Sequence, residues 1–327
     1  MTSALSVTGL VKAFGNHVAV DGISFEVPRG VVYGILGPNG AGKSTMLRMI
    51  NDIFAPDAGE IVVLDRLRPG AEAAAKIGYL PEERGLYPRM KVGDMIAFIA
   101  ELRGLARSEA RRRTAAWLDR LGLTQWTKNK VQDLSKGMQQ KVQFATALIH
   151  EPELVILDEP WSGLDPINAE VLREAVDEVR ASGRTVLFST HQMEQAEKVV
   201  DHVCIIARGK KLLDGKLADI QRREAADGLV ALGFGDAAAR AAADAVLADR
   251  ALVAAIQAPR AQPGNAAPDC EVKLAEGATA QRLLAALVAA GVQLRRFEIV
   301  VPTLHQIFVD RVGASAAVAE RRPEAAA

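Results

Sequence analysis

GPNGAGKST, Gly37 to Thr45, follows the apolar run VVYGIL and opens onto TMLRMI. It fits G-x-x-x-x-G-K-[ST] in the strand, loop and helix setting that gives the pattern its chemistry. Glycines let successive backbone N–H groups turn inward around phosphate oxygens, and the first turn of the following helix adds partial positive charge. Gly37, Pro38, Asn39, Gly40, Ala41, Gly42, Lys43, Ser44 and Thr45 are therefore candidate ligands of a nucleoside triphosphate. In this pattern Lys43 reaches the β- and γ-phosphates and Ser44 ligates Mg²⁺. The alternative, a glycine-rich turn capping an ordinary helix, is disfavoured by the context.

A second run, ELVILDEPWSGLDP at 153–166, places four apolar residues ahead of two carboxylates. That reads as a buried strand delivering Asp158 and Glu159 to its C-terminal edge, where open α/β sheets bind ligands. One carboxylate beside the phosphates would hold Mg²⁺, and the other could orient and deprotonate a water. The alternative is an exposed acidic turn. Further strands are expected at VVYGILG, KIGYLP, TVLFST and VCIIARGK, and helices from Lys43, Val92, Ala110, Lys136, Ala169 and Gln192. Strands alternating with helices imply a parallel sheet buried on both faces.

The chain has 327 residues, enough for one large and one small domain. Forty basic residues balance forty acidic ones, so there is no electrostatic footprint for nucleic acid. Cys204 and Cys270 are the only cysteines, which suits a reducing compartment and gives no disulfide or metal framework. The N-terminal MTSALSVTGLVKAFG lacks the features of a signal peptide, and no apolar run reaches the length of a membrane span.

DLSKGMQQK, 133–141, begins a helix with Asp133 or Ser135 as N-cap and Met138, Val142, Ala145 and Ile149 on one apolar face. Taken in order, GPNGAGKST, LSKGM, LVILDEP, SGLD and STH resemble the nucleotide-binding subunit of ABC transporters over residues 5 to 218. The resemblance implies an α/β fold with a P-loop NTPase core and a helical subdomain. It also implies ATP hydrolysis with Mg²⁺ and a second nucleotide-binding subunit, in a homodimer or heterodimer. Transmembrane permease subunits and a peripheral place on the cytoplasmic face of the inner membrane are implied too. By the same resemblance Phe14 stacks on adenine, with a packed core position as the alternative. Asp158 serves the metal, Glu159 is the catalytic base and His191 contacts the γ-phosphate. Ser162, Gly163 and Asp165 match the loop that crosses the dimer interface, while Ser135 and Gly137 close over the partner's triphosphate. The other reading is a soluble ABC ATPase that remodels translation or DNA-repair complexes, although this chain has neither a second nucleotide domain nor a long coiled-coil insertion.

Three positions depart from the family pattern. LSKGM carries Lys136 and Met138 where LSGGQ is commonest, and YLPEERGLYP carries Glu82 where a metal-ligating Gln is usual. A carboxylate ligates magnesium more strongly but adds negative charge beside the phosphates. The segment after Glu82 supplies Leu86, Tyr87, Met95, Phe98 and Leu102, of which Tyr87 is the best candidate for an exposed anchor to the membrane partner.

Three parts are expected: residues 1–220 as the nucleotide-binding domain, 228–312 as a small α+β domain, and 313–327 as a disordered tail, with QRREAADG at 221–228 as linker. The second part reads strand, helix, strand, a Pro- and Gly-containing loop, strand, helix, strand, the βαββαβ order of a ferredoxin-like layer. It closes on PTLHQIFVDRVG, whose Leu304, Ile307, Phe308 and Val312 share one side of a helix. Similar extensions occur in the type-two exporter class, among subunits implicated in sodium, drug and antibiotic export.

Overall fold

The computed structural model describes residues 3–83, 85–225, 228–258 and 268–320, with side chains to residue 312. The chain divides into two compact units, Met1–Leu217 with Asp310–Ala327, and Ala218–Val309.

In the first unit a six-stranded sheet has the order β5-β6-β7-β3-β8-β9. Its strands are β3 (Val32–Leu36), β5 (Ile77–Leu80), β6 (Leu154–Asp158), β7 (Thr185–Thr190), β8 (His202–Ala207) and β9 (Lys210–Lys216). All pairings are parallel except β8 with β9. The short runs VYGIL, LVILD and TVLFST are buried at every position, as strands covered on both faces must be. Register sets where these strands end: Leu36 pairs with Thr190, and Asp158 pairs with Ser189. The C-terminal ends of β3, β6 and β7 are therefore level, and the loops leaving them converge.

A three-stranded antiparallel sheet, β2 (His17–Pro28), β1 (Ser3–Phe14) and β4 (Ala58–Val63), supplies Leu5, Leu10, Ile23 and Phe25 to the same core as Tyr33, Ile35 and Met46. The sequence reading finds only parallel strands here. Alternation along β1 is broken by repeated register shifts against β2, so the period-two signature fades.

Helices α1 (Lys43–Ile50), α2 (Ala71–Lys76), α6 (Pro166–Ala181) and α7 (Met193–Glu197) connect these strands. The start of α6 lies three residues before the expected Ala169: Pro166 takes the first turn, and the Asp165 side chain accepts from Asn168 N at 2.9 Å. Helices α3 (Val92–Leu102), α4 (Arg107–Arg120) and α5 (Lys136–Leu148) form a separate apolar cluster with Met95, Ile96, Leu118, Val142, Ala145 and Ile149 buried. Ser135 is the N-cap of α5, accepting from Met138 N, while Asp133 serves the short turn before it by accepting from Lys130 N. Tyr87, Phe98 and Leu102 are exposed, and the Tyr87 and Phe98 rings meet edge to face at 6.1 Å.

The expected linker is instead helical over α8 (Leu217–Ala225), because Gln, Arg, Glu and Ala are good helix formers and Leu217 and Ile220 are buried. Residues 226–227 lie outside the described residues. The second unit pairs β10 (Leu229–Phe234), β11 (Val253–Gln257), β12 (Cys270–Leu274) and β13 (Leu294–Ile299) in the order β11-β12-β10-β13, all antiparallel. With α9 (Ala237–Leu247) and α10 (Ala280–Ala289) this is the ferredoxin-like arrangement, with Val230, Leu232, Ala243, Leu283 and Leu287 in its own core. Most of the expected Pro- and Gly-containing loop, 259–267, lies outside the described residues. The final helix, α11 (Leu304–Glu320), buries Leu304 and Ile307 and runs past Gly313, where the sequence reading starts a disordered tail. Its alanine-rich continuation favours helix. The rest of that tail, 321–327, is outside the described residues.

Candidate functional site

The loop after β3 is shaped by contacts that exclude side chains. A Cβ on Gly37 would meet the carbonyl oxygen of Ile206 at 2.2 Å. Gly42 combines φ of +101° with a carbonyl, from Ala19, that would stand 2.3 Å from a Cβ. Gly42 is also the N-cap of α1 and provides no side-chain cap, so the first amides of that helix remain available to an anion.

Lys43 is buried, and its Nζ donates to the carbonyls of Gly37 at 2.9 Å and Pro38 at 3.2 Å. The same Nζ lies 3.6 Å from Oε1 of Glu159. Ser44 Oγ donates to Asp158 Oδ1 at 3.2 Å, and Ser189 Oγ donates to the same oxygen. Asp158 Oδ2 is buried without a hydrogen-bond partner. Burial pushes the Asp158 carboxyl above its usual range, opposed by the two serine hydroxyls and reinforced by the Glu159 charge.

Glu159 leaves β6 with φ of 50°, its N–H donating to Ser189 O at 3.0 Å. Its side chain is almost fully buried yet fully engaged. Thr190 Oγ1 lies 2.8 Å from Oε2, and His191 approaches Oε1 with its backbone N–H at 3.1 Å and its Nδ1 at 2.9 Å.

These groups open on a cleft of about 550 Å³. Its wall contains Phe14, Asn39 to Thr45, Glu82, Glu159, Ser162 and His191, together with His17 and Ala19. Sequence-distant candidates are thus brought together, with Asp158 behind the wall on Ser44. Phe14 is half exposed at the end of β1, edge to face with Phe54 at 5.7 Å, so its ring is not a packed core position. Ser135 and Gly137 do not line the cleft of their own chain.

Four residues of this region escape the sequence reading. Ser189 and Thr190 read there only as the end of a strand, yet two hydroxyls closing an otherwise apolar run are a usable signal. Gln140 and Gln143, both buried on α5, donate respectively to Pro160 O at 3.2 Å and to Pro81 O and Glu83 O. No local pattern announces those contacts.

The family model described as ABC transporter matches residues 20–162, and one described as ATP-binding protein DrrA1-3-like, C-terminal domain, matches 215–312. Among curated proteins, the uncharacterized ABC transporter ATP-binding protein YhaQ of Bacillus subtilis is 39% identical over 95% of this chain and 99% of its own length. The Nod factor export ATP-binding protein I of Ralstonia nicotianae is 38% identical over 66% of this chain and 68% of its own. A solved ATP-binding subunit of an ABC transporter, 32% identical, superposes with a TM-score of 0.63 over 68% of this chain and 93% of that one.

Proposed function

Because this chain belongs to the family of ABC transporter ATP-binding proteins, whose members bind and hydrolyse ATP in partnership with separate transmembrane subunits, we propose that it powers export. The exporter reading is supported by the C-terminal match at 215–312 and by the similarity to a relative named for Nod factor export. In this reading the chain works as a dimer on the cytoplasmic face of the membrane. Among the described residues no helix is long and apolar enough to span a bilayer.

One observation carries the chemistry: a single oxygen, Oε1 of Glu159, faces both the phosphate-loop lysine and His191. Phosphates entering the loop compete for Lys43 and free the carboxylate. Glu159 then takes a proton from the water that attacks the γ-phosphorus, and ADP leaves with its terminal oxygen stabilised by Lys43. His191 contacts the γ-phosphate and, through Nδ1, keeps Glu159 aimed at the water. Phe14 stacks on the adenine.

The residues present fit Mg²⁺. The Ser44 hydroxyl and the Asp158 carboxylate it touches through Oδ1 are hard oxygen donors, Asp158 Oδ2 has no hydrogen-bond partner, and Glu82 is on the cleft wall with Ser44. Among the described residues no cluster of three His, Cys, Asp or Glu gathers, so phosphate oxygens and water complete the shell, as is usual for magnesium. The ion would offset phosphate charge.

Ser135 and Gly137, outside their own cleft, serve the partner's triphosphate, with the start of α5 repeating the helix-terminus physics of the phosphate loop. The test is reconstitution with the membrane subunit into vesicles. ATP-dependent movement from the ATP-binding face to the other is expected. Movement toward that face, or hydrolysis that no membrane subunit stimulates or couples to movement, overturns the reading.

A further inference from the structure

Glu82 belongs to the connection 81–91 between β5 and α3, and such segments move unless their backbone is fixed. One side chain fixes it on both sides. Gln143 Nε2 donates to Pro81 O at 3.0 Å and to Glu83 O at 3.2 Å, so both amide hydrogens are spent on the carbonyls that flank Glu82. Gln143 is 3% exposed, and its Oε1 is buried with no hydrogen-bond partner. An orphaned buried acceptor is costly, so the amide is a poor choice for packing alone. The surrounding backbone is equally close: a Cβ on Gly78 in β5 would meet Ala147 O of α5 at 2.1 Å. The Arg48 to Glu83 contact at 3.8 Å involves a largely exposed carboxylate and contributes little, and the backbone bonds from Gln132 N to Pro88 O and from Val131 N to Met90 O hold the far end of the connection.

We propose that Gln143 is a positioning residue for Glu82, holding its carboxylate against the nucleotide cleft by gripping the two neighbouring carbonyls. This rests on the reading of Glu82 as a magnesium ligand.

The experiment uses the full chain with Gln143→Met, which keeps the volume and removes both donors, alongside Glu82→Ala and the double variant. Gln143→Glu, which turns the donor face into an acceptor, replaces the methionine variant if that one misfolds. Three quantities are read: the Mg²⁺ concentration for half-maximal ATPase, the affinity for a fluorescent ATP analogue without Mg²⁺, and amide hydrogen exchange of residues 79–83 without nucleotide. Expected are a three- to tenfold rise in half-saturating Mg²⁺ for each single variant and a double variant no worse than Glu82→Ala. Metal-free nucleotide affinity should not fall in any variant, and exchange at 79–83 should be about tenfold faster in Gln143→Met. Contacting residues that act as a unit are non-additive in this way. A shift with Glu82→Ala but none with Gln143→Met, shifts that multiply in the double variant, or unchanged exchange at 79–83 would each overturn the role of Gln143. No magnesium shift with Glu82→Ala removes the metal reading of Glu82 and this inference with it.

Discussion

His191 Nδ1 stands 2.9 Å from Glu159 Oε1, two side chains 32 positions apart that meet because β6 and β7 are parallel neighbours. Asp158 is level with Ser189, so the residues just beyond each strand emerge on the same edge. The contact is a product of register: a slip of one residue would turn His191 to the opposite face.

Glu159→Gln keeps the shape and one oxygen acceptor for the His191 N–H, while the other oxygen becomes an NH₂ that can donate to Thr190 Oγ1; it cannot take a proton. Hydrolysis is expected to fall by about 10²- to 10⁴-fold, the usual contribution of a positioned general base. ATP binding should persist, and dimers should accumulate with ATP and Mg²⁺. Steady-state ATPase of the purified variant with its membrane partner checks this, and undiminished turnover would assign the base elsewhere.

For Glu82→Gln two effects compete. The carboxylate is the better metal ligand, yet it repels the triphosphate by roughly 1 to 4 kcal/mol at about 4 Å. Basal hydrolysis is expected within about tenfold of the parent, under about 1.4 kcal/mol in the barrier, with half-maximal Mg²⁺ shifted upward. Stimulation by the membrane subunits should suffer more. Loss of basal activity as complete as in Glu159→Gln would move Glu82 into the chemistry itself.

His150 gives the fold an acid limit. Its Nε2 lies 3.2 Å from Ile77 O, its Nδ1 is buried without a partner, and burial followed by the Arg103 charge holds its pKa down to about 4 from an ordinary 6.5. Between those values the unfolded chain binds more protons than the folded one, so stability rises with pH. The contribution is complete above 6.5 and is lost as pH falls through about 4. In His150→Gln, which retains a donor for Ile77 O, urea midpoints between pH 4 and 7 should fall less steeply on acidification. Parallel curves would show that another group sets the limit.

A chain ended after Lys216 retains every residue that lines the cleft, while Ala218–Val309 forms its own unit. The shortened protein is expected to fold and bind ATP within about threefold of the parent, under about 0.7 kcal/mol. Calorimetric titration measures this. A folded truncation that fails to bind nucleotide would give the C-terminal part a role in the site.

How much of the molecule is legible in its sequence depends on how local the physics is. The phosphate loop is specified within nine residues by glycines that avoid the carbonyls of Ile206 and Ala19, and LVILDE by one buried strand ending in charge. The ferredoxin-like order survives because each of its elements has a clear period and a turn. Nothing in QRREA distinguishes a linker from the end of α8 until Leu217 and Ile220 find a surface to bury against. Gln143 looks like any polar residue on a helix, since its partners lie about sixty positions upstream. Only the packing of α5 against β5 gives it a task.

The left-handed backbone of Glu159, φ 50°, sets chemistry against conformation at one residue. Holding a side chain other than glycine or asparagine there costs roughly 1 to 2 kcal/mol. Glycine at 159 would relax that strain but leave the buried Lys43 without its carboxylate neighbour and Thr190 and His191 without their acceptor, a loss of about 3 to 5 kcal/mol that outweighs it. The fold itself therefore retains the base: a selection for thermal stability alone has nothing to gain by discarding it.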